Sequence, residues 1–305
     1  MSRSTISAFE LSKLFPNEAA AITHLQKRLW PNGAVCPKCH STERITKRKD
    51  GFYACNACVF KFTVRTGTIF GRSHIPLDKW LVAMYLLMTA RKGISSVQLS
   101  KQLGIRQATA WFLLHRLREA CGPDLTMLRG IVEVDEVYFG GLERNRHEGK
   151  KLRLGNGGVG KTAVVAMRER GGRTRAMKVE VTGKLEMQGL IRQNVEKGST
   201  INTDEHPGYQ GVANSGYLHK TVNHRAKEYV RNGVTTNSVE SVFAVMRRGM
   251  HGVYHHASKK HISRYVNEFT FRLNEGNVER HTLDRLNSFV DATAGRRITY
   301  KDLIK

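Results

Sequence analysis

IVEVDEVYFGG, Ile131–Gly141, is rich in β-branched and aromatic residues and therefore reads as a strand. It is apolar on both faces, the pattern of a central strand in a covered sheet. Yet it carries Glu133, Asp135 and Glu136. Burying an unpaired carboxylate is costly unless a cation offsets it. In a chain rich in Arg and Lys a salt bridge is one explanation. A metal ligand at a strand edge reached by solvent is the other.

The segments downstream complete an alternating pattern. TAVVAMRERGGR and TRAMKVEVTG read as a strand pair, KLEMQGLIRQNVEKG as a helix, and YLHKTVNH, Tyr217–His224, as a fifth strand. TINTDEHPGY, Thr200–Tyr209, reads as a short strand ending in Asp204 and Glu205 before a Pro-Gly turn. An acid there projects into a cleft, although a lone acid before a turn is more often a turn-former. TTNSVESVFAVMRRGMHG, Thr235–Gly252, reads as a helix. At roughly 100° per residue, Val239, Val242, Phe243 and Met246 share a core stripe, and Asn237, Glu240 and Arg247 share another. Each acid is a weak signal alone. Together they form an ordered set: Asp135 on a strand, Asp204 after a later strand, Glu240 on a helix beyond. Three carboxylates converging in this order can hold two Mg²⁺ ions, since hard oxygen ligands suit that metal. Two ions roughly 4 Å apart clamp the attacking and leaving oxygens of a phosphodiester.

Upstream, Cys36, Cys39, Cys55 and Cys58 form C-x2-C-x15-C-x2-C. Two short-looped thiolate pairs suit tetrahedral Zn²⁺ in a structural role, because four thiolates leave no open coordination position. Between them STERITKRKDGFYA reads as a hairpin turning at Lys49–Gly51. VFKFTVRTG then alternates Phe60, Phe62 and Val64 against Lys61, Thr63 and Arg65, which makes a zinc ribbon. Lys47, Arg48, Lys49, Lys61 and Arg65 are placed to meet phosphates, and Cys121 reads as a buried apolar residue. SSVQLSKQLGIRQATAWFLLHRLREACG, Ser95–Gly122, reads as a helix-turn-helix. Ser96 caps its first helix, Gly104 ends it and Ile105 plugs the turn. Arg106, Gln107 and Thr109 are then left on the exposed first turn of the second helix, where such side chains reach base edges or phosphates. A plain helical bundle has the same pattern.

Composition narrows the partners. Among 305 residues, 50 are Lys or Arg and 26 Asp or Glu, a net charge of +24 that a polyanion would offset. The longest apolar run, Trp80–Ala90, is too short to span a bilayer, and no signal peptide opens the chain. A cytoplasmic, nucleoid-associated protein is expected. GNGGVGKT, Gly155–Thr162, matches the phosphate-loop pattern G-x-x-x-x-G-K-[ST]. A working loop needs a strand before it and a helix after it. Here a charged run precedes and the β-branched AVVAMRER follows, so no nucleotide cofactor is expected. Lys161 and the Arg144–Lys151 run are expected to touch DNA instead.

On C-P-K-C with C-N-A-C, VEVDEVYFGG, NTDEHPGY and TTNSVESVFAVMRRGMHGVYHHASKKHISRYVNEFTFRLN, the chain resembles the insertion-sequence transposases of the DDE superfamily, in the group with an N-terminal zinc ribbon. The resemblance covers nearly the whole chain. It implies an α/β (α+β) protein: a zinc ribbon in 1–75, a helix-turn-helix in 76–125, and an RNase H-like mixed-sheet catalytic domain with C-terminal helices in 126–305. By the same resemblance Asp135, Asp204 and Glu240 are the Mg²⁺ (or Mn²⁺) ligands and Arg247 holds DNA phosphate. Asn237 competes with Glu240 for the third place, and Glu136 and Glu205 are weaker candidates. The implied activity is binding of terminal inverted repeats, strand cleavage and strand transfer into target DNA, by an oligomer on double-stranded DNA. Two alternatives stay open: a DNA-binding repressor or decayed element protein without chemistry, and an RNase H-like nuclease without strand transfer. The resemblance fixes no role for His251, His255, His256 and His261.

Overall fold

A computed structural model of the chain describes residues 5–123, 125–141, 147–151, 160–223, 226, 230–231, 233–276 and 279–305. They form two compact units, Met1–Gly122 with Glu275–Lys305, and Pro123–Asn274. The first opens with α1 (Ala8–Leu14) and α2 (Glu18–Leu29), capped by Ser7 and Asn17. The ribbon follows as β1 (Ile45–Lys47), β2 (Tyr53–Cys55) and β3 (Phe60–Phe62), antiparallel in that order. The Lys49–Gly51 turn is closed by Arg48 N–H on the Phe52 carbonyl at 2.8 Å. Strand pairing stops at Phe62, but the alternation continues: Phe62 and Val64 are buried and Lys61 is exposed.

Arg65 departs from the expected phosphate-facing role. Its guanidinium pairs with Glu18 and donates to the carbonyls of Ser73 (3.3 Å) and Ile75 (3.0 Å), so it staples the loop after the ribbon to α2.

Three helices come next, α3 (Leu77–Thr89), α4 (Ser96–Leu103) and α5 (Gln107–Ala120). The cap of α4 is Ser95, one residue before the expected Ser96; its hydroxyl accepts from Gln98 N–H at 3.1 Å. Gly104 ends the helix at φ 62°, ψ 44°, a left-handed conformation that costs glycine nothing. Leu99 and Leu103 of α4, and Ala110, Leu113, Leu114 and Leu117 of α5, are buried as their spacing requires, and so is Cys121.

The second unit is built on a five-stranded mixed sheet. Its strands are β4 (Ile131–Phe139), β5 (Thr162–Glu169), β6 (Thr174–Val179), β7 (Thr200–Thr203) and β8 (Leu218–Thr221), in the order β6-β5-β4-β7-β8. β4, β5 and β6 run antiparallel, while β7 and β8 run parallel to β4. Helix α6 (Lys184–Asn194) lies between β6 and β7 in sequence, and α7 (Asn237–Gly249) and α8 (Ile262–Glu275) follow β8. This is the RNase H-like arrangement, with β4 central as its two apolar faces require.

Period two decides what each face of β4 meets. Val132 and Val134 pack with Met187 and Ile191 of α6. Val137 and Phe139 pack with Val239, Val242, Phe243 and Met246 of α7 and with Val266 and Phe269 of α8. The helix expected over Thr235–Gly252 is α-helical only from Asn237 to Gly249; a π-helical turn, Met250–Tyr254, extends it.

The last helices, α9 (Thr282–Asp291) and α10 (Tyr300–Ile304), belong to the first unit, although the sequence placed everything from 126 to 305 in one domain. Specific contacts hold α9 there. Asp291 takes a two-pronged bond from Arg28 of α2, and Arg285 donates to the Met88 carbonyl of α3 at 3.3 Å. Residues 155–159 of the phosphate-loop-like stretch and 144–146 of the basic run lie outside the described residues. Thr162 opens β5, as the strand reading of that stretch expected. Among the described residues, no helix is long and apolar enough to cross a membrane.

Candidate active site

Parallel pairing of β4 with β7 ends at Glu133 opposite Asn202. Two residues further along each strand stand Asp135 and Asp204, neighbours on strands spaced about 4.8 Å apart. β7 stops at Thr203, which frees Asp204 to turn into the notch. The turn is fixed locally, because His206 N–H donates to the Asp204 carboxylate at 2.9 Å. Gly208 completes it by close approach: a Cβ there would sit 2.7 Å from the Thr182 carbonyl oxygen. Oxygens of Asp135, Glu136 and Asp204 lie within 4.8 Å of one another, a set that fits a divalent cation.

Asp135 and Glu136 are adjacent on a strand, so they start on opposite faces. Asp135 shares the α7 face with Val137. Glu136 leaves on the α6 face, where the buried Tyr209 donates its hydroxyl at 2.7 Å and His206 Nε2 lies 3.6 Å away. Burial pushes the Glu136 carboxyl up, while the Tyr209 hydroxyl pulls the other way. Tyr209 is itself pushed well above the usual phenol range by burial and by the charge of Glu136.

Burial raises Asp135 to about 7; the Glu136 amide N–H opposes this, and the charges of Glu136, Asp204 and Glu240 add to it. A carboxyl raised in this way by anionic neighbours favours a cation beside it. Glu240 lies outside the 4.8 Å group, yet its charge reaches Asp135. It is exposed on the first turn of α7, with the Thr236 hydroxyl donating to it at 3.2 Å. Asn237 is the first residue of that helix and is exposed; Glu205 is exposed and outside the acidic group.

What fixes the first turn of α7 against the sheet is Glu133. This carboxylate is 1% exposed. It accepts from Ser238 N–H (2.8 Å), Ser238 Oγ–H (2.6 Å) and Val239 N–H (3.2 Å), and Arg170 donates to its other oxygen at 3.2 Å. Thr236, the residue at the cap position of α7, makes no side-chain cap bond, so a strand side chain satisfies the helix's first amides. Asn202, the register partner of Glu133, donates to the Thr235 carbonyl at 3.4 Å. Of the two explanations for Glu133, the salt bridge holds, joined to a capping role that the sequence did not reveal.

In the first unit, the Cys36–Cys58 and Cys39–Cys55 sulfurs are each 3.6 Å apart, and all four lie within 4.8 Å of one another. A tetrahedral ion with Zn–S bonds of about 2.3 Å separates its sulfurs by about 3.8 Å. The four thiolates therefore fit structural zinc. Burial pushes the Cys36 thiol up, but the amides of Cys39 and Lys38 donate to it and bring it to about 7. Trp30 packs edge-on against Tyr53 (5.2 Å) and Phe62 (5.8 Å) of the ribbon. Chelating the metal is expected to unfold the ribbon and abolish the near-ultraviolet circular dichroism of this aromatic cluster, because such a small core does not stand alone. An unchanged spectrum after complete zinc removal would show the cluster to be self-sufficient.

Arg106, Gln107 and Thr109 are exposed at the start of α5 as expected, though Gln107 donates to Ser96 Oγ at 2.8 Å. Lys161 is half-buried before β5, and Arg247 is exposed two turns after Glu240 on the same stripe of α7.

Comparison with known proteins agrees with this geometry. Residues 127–274 match the ISXO2-like transposase domain, and residues 16–59 match the transposase zinc-ribbon domain. The chain belongs to the ISXO2-like DDE transposases that carry a zinc ribbon. It is also similar to a protein in the transposable element ISH50 of Halobacterium salinarum, 28% identical over 273 residues, 85% of this chain and 92% of that one. The matched transposase domain begins just before β4 and ends with α8, so it contains every acid of the site.

Proposed function

We propose that this transposase-family chain cuts DNA at the ends of its own mobile element and joins the freed ends to target DNA. The carrying observation is the meeting of Asp135 and Asp204 in the notch between β4 and β7, with Glu240 of α7 close enough to act on Asp135 electrostatically. Bound at these carboxylates, two Mg²⁺ ions would supply Lewis-acid activation of the attacking and leaving oxygens. The protein's part is to hold Asp135 and Asp204 together, with Glu136 beside them bonded to Tyr209 and with Glu133 fixing α7, which carries Glu240. In the first reaction a water oxygen attacks phosphorus and the O3′–P bond breaks, leaving a 3′-hydroxyl. In the second that hydroxyl attacks a target phosphodiester and displaces another 3′-oxygen. No bond energy from ATP is required.

Arg106, Gln107 and Thr109 contact the terminal inverted repeats, and Lys161 and Arg247 contact backbone phosphate. The enzyme works as an oligomer on double-stranded DNA in the cytoplasm. Glu240 rather than Asn237 is the third ligand, since an anionic oxygen binds Mg²⁺ better than an amide.

The test is Mg²⁺-dependent cleavage of an element-end duplex. Glu240→Gln is expected to slow it by about 100-fold or more and Glu136→Gln by less than about tenfold, because each tenfold corresponds to roughly 1.4 kcal/mol and only the first removes a ligand charge. The reverse order would make Glu136 the third ligand. Absence of cleavage by the wild type on its own ends would favour a DNA-binding protein without chemistry. Cleavage without joining to a plasmid would favour a plain nuclease.

A further inference from the structure

Beyond the acids, α7 runs into a cavity of which the proposed reaction uses only Arg247. It measures about 420 Å³ and is lined by Phe139, Arg247, His251, His255, His256 and Lys259, among others. No carboxylate is among its described lining residues. Its floor has unusual backbone. The π-helical turn Met250–Tyr254 presents His251, and such turns recur at functional sites. At its end His255 adopts φ 56°, ψ −42°, and His256 N–H donates to the Tyr254 carbonyl at 2.6 Å. That is a γ-turn of the strained, positive-φ kind, costly for a residue with a Cβ and kept only where its surroundings enforce it. Here they do: the Tyr254 hydroxyl bonds to buried Glu268, which pairs with Arg272 one turn on. The Tyr254 ring also packs on Tyr265 at 4.8 Å and on Phe269 at 6.0 Å.

We infer that this cavity binds one nucleotide of the DNA strand, its phosphate held by Arg247, Lys259 and the histidines and its base in the remaining space. Arginine and lysine are the side chains that recognise phosphate by charge-assisted bonds, and histidine adds ring N–H donors. The volume lies in the range of small-ligand sites, roughly 300–1,000 Å³, larger than a bare phosphate fills. Its position matches a strand running from the acids. Asp135 to Phe139 is about 13 Å along β4 at roughly 3.3 Å per residue. Glu240 to Arg247 is about 10 Å along α7 at 1.5 Å per residue. At about 3.4 Å of rise per nucleotide, both place the cavity three or four nucleotides from the bond that is cut. A base reaching it leaves the stack, a cost that these contacts offset.

The inference rests on the proposed function only for the source of the nucleotide, and its test needs no cleavage. Full-length zinc-loaded protein with ¹³C-labelled histidine is titrated with thymidine 5′-phosphate, thymidine and inorganic phosphate. Saturable shifts of the His251, His255 and His256 ring signals are expected with thymidine 5′-phosphate, at least tenfold tighter than with either fragment. Lys259→Ala, at an exposed position that leaves the fold intact, is expected to weaken the response about tenfold. Silent histidine signals, equal binding of inorganic phosphate, or indifference to Lys259→Ala would each overturn the assignment. A chain that cuts DNA without this response loses the cavity alone. One that responds without cutting loses the proposed reaction alone.

Discussion

Asp135→Asn is expected to abolish strand cleavage and, at the same time, to make the metal-free protein more stable. The loss of rate follows from removing a ligand charge, worth several kcal/mol of transition-state stabilisation, so a fall on the order of 10³-fold or more is expected. The gain in stability follows from burial, which with the neighbouring acids raises Asp135 from 3.8 to about 7 in the fold. Below pH 4 the carboxyl is protonated in both the folded and the unfolded chain and costs nothing. Between pH 4 and 7 the unfolded chain ionises while the folded one resists, so stability falls as pH rises. Above 7 the full penalty applies, on the order of 4 kcal/mol before relaxation and solvent reduce it. Asparagine carries no charge and keeps an oxygen for the Glu136 N–H, now 2.7 Å away. Calorimetry of metal-free protein at pH 8 should therefore show the variant melting several degrees above wild type, and the difference should vanish at pH 4. Mg²⁺ should raise wild type more than the variant, since only wild type offers the complete site. A variant less stable than wild type at pH 8 would mean that Asp135 is already compensated by the protein.

Glu133→Ala is expected to produce the largest structural defect of any single change in the catalytic unit. It leaves the Ser238 and Val239 amides without their acceptor, at about 1–3 kcal/mol for each unsatisfied buried donor, while Arg170, 38% exposed, keeps its bond to the Gly233 carbonyl. For a unit of this size that is a melting-temperature drop of roughly 10 °C. Because α7 carries Glu240, cleavage is expected to fall about 100-fold even in the molecules that remain folded, the penalty for misplacing a group by about 1 Å. DNA binding measured in Ca²⁺ should persist. Glu133→Gln keeps an acceptor and should recover part of both losses. Wild-type melting and full cleavage in Glu133→Ala would show that α7 is positioned by its core stripe alone.

The parts legible in the sequence are those whose signal is local. Period two made Ile131–Phe139 a strand, and apolar residues on both faces made it central. A 100° step put Glu240 and Arg247 on one stripe of α7, and two C-x2-C pairs at hairpin spacing made the ribbon. What escaped depends on partners far along the chain. Glu133 finds its helix amides more than a hundred residues away, so its charge was visible but its use was not. Arg65 looked like a surface cation until Glu18 and two carbonyls filled its donors. Helix α9 shows an amphipathic face, but nothing in that pattern says which core it covers; its bonds to Arg28 and Met88 place it with the first unit. The π-turn and the γ-turn at His255 leave no periodic trace at all. Period two does separate Asp135 from Glu136, yet only the packing of α7 on one face and Tyr209 on the other shows what each of them meets.

The most direct measurement is anomalous diffraction from crystals soaked in Mn²⁺, which substitutes for Mg²⁺ and reveals its own position. Expected is density in the β4–β7 notch with Asp135 and Asp204 oxygens sharing an ion and Glu240 oxygens within about 2.2 Å of manganese. Manganese held by Glu136 and Asp204 with Glu240 turned to solvent, or no manganese in the notch at all, would contradict it.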